Sequence, residues 1–147
     1  MGSASQSITS ISYDGLNRPT NKSYSGGVAT PAVTFCYDGL PSAGVCPSSG
    51  TPGFKGRLTY ASNSQSSTTY NLFDAMGRVT ASTQGTGTGT YPFSYSYALN
   101  GALASTTYPS GRQVACSLDT AGLISGARDD QGIRAERAEV RRRRRQL

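Results

Sequence analysis

Three features of the chain predict an all-β fold of successive antiparallel hairpins. They are a composition suited to pleated surfaces and tight turns, apolar patterns of period two, and a short motif that recurs along the sequence. The hydrophobic fraction is only 35%, yet nine Tyr and four Phe are spread along 147 residues that carry few charges. A disordered chain lacks aromatics and carries high net charge. Tyr, Phe and Thr favour a half-buried strand surface, and Gly, Asn, Asp and Pro at short intervals favour turns. The length suits one domain of ordinary size with a thin core.

The recurring motif is aromatic, Asp, two free positions, Gly, Arg, then an apolar residue. Tyr13-Asp14-Gly15-Leu16-Asn17-Arg18 sets the pattern, and Phe73-Asp74-Ala75-Met76-Gly77-Arg78-Val79 repeats it. Tyr97-Ala98-Leu99-Asn100-Gly101-Ala102-Leu103 keeps the frame without Asp and Arg, and Leu118-Asp119-Thr120-Ala121-Gly122-Leu123 is another copy. Tyr37-Asp38 opens a copy whose Gly56-Arg57-Leu58 arrives late, and Tyr108-Pro109-Ser110-Gly111-Arg112 is a shortened relative. Asp at the first position of a type I turn accepts a bond from a backbone N–H two residues on. Gly three residues later supplies the positive φ that completes a three-residue hairpin loop. Asn17 fits the same place, since Asn enters the left-handed region readily.

The flanks alternate as strands do. Ile11 and Tyr13 share one face, as do Val33, Phe35 and Tyr37, then Phe93, Tyr95 and Tyr97, then Val114, Cys116 and Leu118. About ten short strands are expected between Ile8 and Arg128. Two stretches are expected to connect them. Gly39 to Lys55 holds three Pro and four Gly, too many breakers for an element. Gln84 to Thr90 is a Gly-Thr run read as a flexible turn or a loose strand edge. It lacks the Gly-Lys-Ser/Thr ending of a phosphate loop.

Charge is concentrated at one end. Residues 1–132 hold seven basic and six acidic side chains, whereas residues 133–147 hold seven Arg and two Glu. The net charge of +6 therefore does not describe a basic face on the hairpin region. The tail, residues 129–147, is expected to be irregular or a short frayed helix, with Glu139 and Arg143 four apart. Residues 1–7 are expected to be disordered. They lack the basic and apolar regions of a signal peptide, and the sequence has no run of 18 apolar residues to span a membrane. The chain is read as an internal piece of a longer protein.

Cys36 and Cys46 flank a loop and can close it as a disulfide in an oxidising compartment, with Cys116 left over. No Cys-x-x-Cys spacing and no His is present, so the usual zinc patterns are missing, and no cofactor is expected. Without His, the Ser-His and Cys-His pairs are impossible, and each Asp up to Asp119 has a turn role that explains it. A catalytic role is not expected.

Tyr-Asp-x-x-Gly-Arg-Leu/Val at intervals of twenty-odd residues resembles the YD repeat of RHS proteins, over roughly Ser10 to Arg128. The resemblance implies hairpins joined into a curved or spiral sheet strip, part of a hollow shell on a secreted or cell-surface protein. Bacterial shells of this family enclose a toxin domain, and related animal shells act in adhesion. The repeats are scaffold. The implied partners are neighbouring repeats of a larger shell and an enclosed toxin domain. This chain is too short to close a shell, and its second copy is split by the insertion at 39–55. Asp119-Thr-Ala-Gly-Leu123 lacks the Pro of the family's self-cleaving Asp-Pro-x-Gly-Leu segment and is read as a turn.

The expected structural anchors are Tyr13, Asp14, Arg18, Tyr37, Asp38, Gly56, Arg57, Phe73, Asp74, Gly77, Arg78, Tyr97, Gly101, Gly111, Arg112, Asp119 and Gly122. Aromatics stack, Asp residues hold turns, and Arg residues lie over rings or pair with neighbouring Asp residues. Two other readings stay open at this stage. One is a carbohydrate- or protein-binding surface that uses the Tyr faces and the strand edges. The other is nucleic-acid binding through Arg141 to Arg145, the less favoured of the two.

Overall fold

The computed structural model describes residues 7–27, 29–129 and the backbone of 134–136. The chain divides into two units, Met1–Thr90 and Tyr91–Leu147. Among the described residues every regular element is a strand, and no helix is long and apolar enough to cross a membrane.

The first unit is an antiparallel meander of β1 (Ile8–Tyr13), β2 (Pro19–Ser25), β3 (Val33–Tyr37), β4 (Leu58–Ser62), β5 (Ser66–Phe73) and β6 (Val79–Thr86). Each strand pairs with the next in chain order. The second unit follows the same plan with β7 (Gly89–Tyr97), which begins at the unit boundary, then β8 (Leu103–Thr107), β9 (Gln113–Leu118), β10 (Ile124–Asp129) and β11 (Arg134–Glu136). The ten strands expected between Ile8 and Arg128 are present.

Register slips by one residue beside the turn-flanking aromatics. Tyr13 faces Pro19, Tyr37 faces Leu58, Phe73 faces Val79 and Tyr97 faces Leu103, each next to a bulge. This is the expected companion of a type I turn closed by a left-handed residue. The core is thin. Cys36 is the one buried hydrophobic side chain among the described residues, and Thr59, Ser82 and Asp129 are buried polar ones. The Thr59 hydroxyl lies within hydrogen-bond reach of the carbonyls of Cys36 (3.0 Å) and Gly39 (2.6 Å), which ties the root of the insertion to β4.

The Gly-Thr run is mostly strand: β6 reaches Thr86 and β7 starts at Gly89, which leaves Gly87-Thr88 as the turn. In the tail, Arg134–Glu136 forms a strand against Gly126, Ala127 and Arg128, where sequence favoured a helical or irregular end. The open edge of β10 supplies ready backbone partners, and this outweighs the weak helix preference of so short a segment. The N-terminal expectation over residues 1–6 and the Arg141–Arg145 run lie outside the described residues.

Candidate functional site

The turns repeat one hydrogen-bond design. The Asn17 N–H donates to the Asp14 carbonyl (3.0 Å) and the Asp14 N–H to the Arg18 carbonyl (2.9 Å). The same pair of bonds recurs for Asp74/Gly77/Arg78, Ala98/Gly101/Ala102, Tyr108/Gly111/Arg112 and Asp119/Gly122/Leu123. The fourth residue of each turn has positive φ: 60° at Asn17, 86° at Gly77, 88° at Gly101, 82° at Gly111 and 76° at Gly122. Asp carboxylates cap the turn from inside. Asp14 Oδ1 accepts from the N–H groups of Leu16 and Arg18, Asp74 Oδ1 from those of Met76 and Arg78, and Asp119 Oδ1 from those of Ala121 and Leu123.

Asp38 works differently from its counterparts. It has φ 69°, and 18 residues separate it from the N–H its carboxylate binds, that of Gly56 (2.6 Å). Its own N–H still donates to the Arg57 carbonyl (3.1 Å), so the insertion keeps the closing bond of an ordinary turn. Within the insertion, Ala43 and Gly44 turn the chain at φ 48° and 77° between the bridged residues Ser42 and Val45. Cys36 and Cys46 are joined as a disulfide, Cα to Cα 5.2 Å, and Cys116 is a free thiol. Phe54 meets Phe73 edge-to-face at 5.8 Å.

In the first unit, arginines link one turn to the next. Arg18 Nε donates to Asp14 Oδ2 in its own turn (2.7 Å), while Nη1 and Nη2 grip both oxygens of Asp38 in the following one (3.2 and 2.7 Å). Its guanidinium carbon lies 4.4 Å from the centre of the Tyr37 ring, and the Tyr37 hydroxyl donates to the Pro19 carbonyl (3.0 Å). The Arg57 guanidinium lies 4.8 Å over Phe73 and donates to the Gly53 carbonyl (3.0 Å). Arg78 Nε donates to Asp74 Oδ2 (2.6 Å). A planar, always-charged fork suits this double duty, since its face covers a ring while its edges bind carboxylates.

The electrostatics follow the geometry. The Arg18 N–H, the Arg18 guanidinium and the Leu16 N–H together outweigh desolvation and hold the Asp14 carboxyl below the usual range. The Arg18 guanidinium, then the Gly56 N–H, does the same for Asp38, and the Arg78 N–H leads the effect at Asp74. Arg18 is pushed above its ordinary value by hydrogen bonds to Asp38 and Asp14. Burial raises the Tyr37 phenol.

The shortened relative at Tyr108–Arg112 lies elsewhere. It joins β8 to β9, so within the second unit it occupies the opposite end of the strands from the turns at 98–101 and 119–122. Arg112 there pairs with Asp129 (2.5 Å), whose side chain is nearly sealed from solvent, and Tyr108 meets Phe93 edge-to-face at 5.8 Å. The sequence placed Arg112 and Gly111 in line with the other anchors because the local motif does not encode which end of a hairpin it occupies. Two contributions had no sequence signal: that of Thr59, and the bond that the amide of Asn100, itself expected in a turn, donates to the Gly122 carbonyl (3.3 Å) of the next turn. Tyr13 is the most exposed of the four turn-flanking aromatics.

No family model matches the chain, and no curated protein does. Among solved structures, the crystal structure of TcdB2-TccC3 is similar, at 14% sequence identity and a TM-score of 0.48, over 87% of this chain and 8% of that one. This chain thus spans less than a tenth of the length of that one.

Proposed function

We propose that this chain is a non-catalytic structural segment of a hairpin-repeat shell of the RHS/YD type. It would belong to a larger secreted or surface protein that encloses a toxin domain. One observation carries the reading: the Arg18 guanidinium joins Asp14 of one turn to Asp38 and Tyr37 of the next. The first hairpin is thereby fastened to the next at the turn end, as an array requires when no hairpin is stable alone. The acidic side chains at 14, 38, 74 and 119 are committed to turn N–H groups, which fits scaffold better than acid–base chemistry. The Cys36–Cys46 disulfide fits an oxidising compartment.

The test is Arg18→Ala, followed by thermal melting and limited proteolysis with mass mapping. The expected result is a lower melting temperature with new cleavage at both the Asp14 turn and the 39–55 insertion. An unchanged melt and cleavage map would overturn the structural reading.

A further inference from the structure

We propose that the outer edge of β1 docks a further hairpin of the same turn type, one whose arginine covers the Tyr13 ring. The inference rests on the scaffold reading above and names the partner at one edge.

The observed rule within the first unit is directional. The arginine at the start of the strand after a turn reaches the aromatic at the end of the neighbouring strand: Arg18 in front of β2 covers Tyr37 of β3, and Arg57 in front of β4 covers Phe73 of β5. Tyr13, at the end of β1, holds the receiving position with no such arginine among the described residues, and the residue is 55% exposed. Beside it, Asp14 accepts three bonds, from the N–H groups of Leu16 and Arg18 and from Arg18 Nε. A carboxylate has about four acceptor sites, so Oδ2 keeps capacity for a second guanidinium. The backbone agrees. β1 pairs with β2 on one side, its other edge has no strand partner among the described residues, and all six of its residues are exposed. Open strand edges capture strands, and alternate side chains set the choice.

The chemistry restricts the occupant. In the second unit, the turns at 98–101 and 119–122, which share one end of the strands, hold Ala102 and Leu123 at the arginine position. A second copy stacked through either turn brings no cation to Tyr13. The edge therefore selects a hairpin that carries Arg after the turn glycine, and disfavours end-to-end growth of identical chains through those turns.

The probe is a cyclised, fluorescently labelled peptide of residues 68–83, which carries the Asp74–Arg78 turn; cyclisation replaces the neighbours that an isolated hairpin lacks. Titrated with the full chain, it is expected to bind saturably. Arg78→Ala in the peptide and Tyr13→Ala in the chain are each expected to weaken binding about ten-fold, and the two together no more than either alone. Tyr13→Phe is expected to retain binding. Absence of saturable binding, or binding indifferent to Tyr13→Ala, overturns the proposal. Either result leaves the scaffold reading standing, because that reading is judged by the Arg18→Ala melt.

Discussion

Gly77→Val tests the turn design at its most constrained point. Gly77 has φ 86°, in the left-handed region. An L-residue there costs about 1–2 kcal/mol, and a branched Cβ lies at the upper end. The new Cβ would also stand 3.1 Å from Arg57 Nη2. That guanidinium is not free to swing away, since it lies over Phe73 and bonds the Gly53 carbonyl. Displacing it forfeits a further ~0.5–1 kcal/mol of cation–π contact. The sum is about 2–3 kcal/mol. For a cooperative unit of roughly 90 residues, each kcal/mol moves the melting temperature by about 4–8 °C, so a fall of about 10–20 °C is expected by circular dichroism. Gly77→Asn is the control, because Asn17 holds the same turn position at φ 60°. It is expected to cost less than half as much. A valine variant that melts within about 2 °C of the parent, or an asparagine variant as damaged as valine, refutes the turn assignment.

Three more perturbations bear on the disulfide, the Asn17 turn and the turn carboxylates. Reducing the Cys36–Cys46 bond, which spans a sequence separation of 10, removes about 2.5–3 kcal/mol of loop-closure restraint, to be read as a lower melt in reductant that a Cys46→Ala variant no longer shows. Asn17→Gly relieves a left-handed non-glycine residue and is expected to stabilise the first unit by about 0.5 kcal/mol, measured by urea titration; a loss of stability would contradict the strain argument. Asp14, Asp38 and Asp74 have carboxyls held below the usual range in the fold, so their stabilisation is full above the unfolded value near pH 4 and is lost as pH falls through the lower folded values. Melting temperature is expected to drop between about pH 4 and pH 2, and Asp38→Asn to flatten that drop.

The turns were legible because their chemistry is local. Asp, two residues, then Gly specifies its own hydrogen bonds within five positions, and the alternating flanks specify strands. Beyond that range the kind of contact was legible, arginine over a ring or against a neighbouring Asp, but the particular partner was not. Arg18 meets Asp38 across 20 residues, and nothing in either motif states that neighbouring turns fall at the same end of the strands. The same blindness aligned Arg112 with the other anchors, although β8 and β9 place it at the far end. Thr59 is the most buried side chain and had no signal at all, since a threonine in a strand is unremarkable until an insertion root folds over it.

The degenerate copies separate what each motif residue does. The backbone N–H of the fifth turn residue needs an acceptor, and the chain supplies it in three ways: Asp14, Asp74 and Asp119 from the first position, Asn100 from the third (3.1 Å to the Ala102 N–H), and Ser110 in the Tyr108 turn (3.4 Å to the Arg112 N–H). Asp is thus replaceable where another oxygen reaches the same N–H. The arginine and the next aromatic are replaced as a pair instead: Ala102 stands where Arg18 and Arg57 stand, and Leu118 of the following turn takes the place of Tyr37 and Phe73. A cation without a ring, or a ring without a cation, leaves a surface that water covers better than protein does. Between those two turns the link is the neutral Asn100 amide on the Gly122 carbonyl, and a Cβ on Gly122 would collide with that amide. The link between turns is therefore ionic where Arg18 makes it in the first unit and neutral where Asn100 makes it in the second. Acid that weakens the first leaves the second intact, so hydrogen exchange at low pH is expected to open the Asp14–Asp38 region before the Asn100–Gly122 region. The reverse order would show that the carboxylate–guanidinium contacts are incidental to the array.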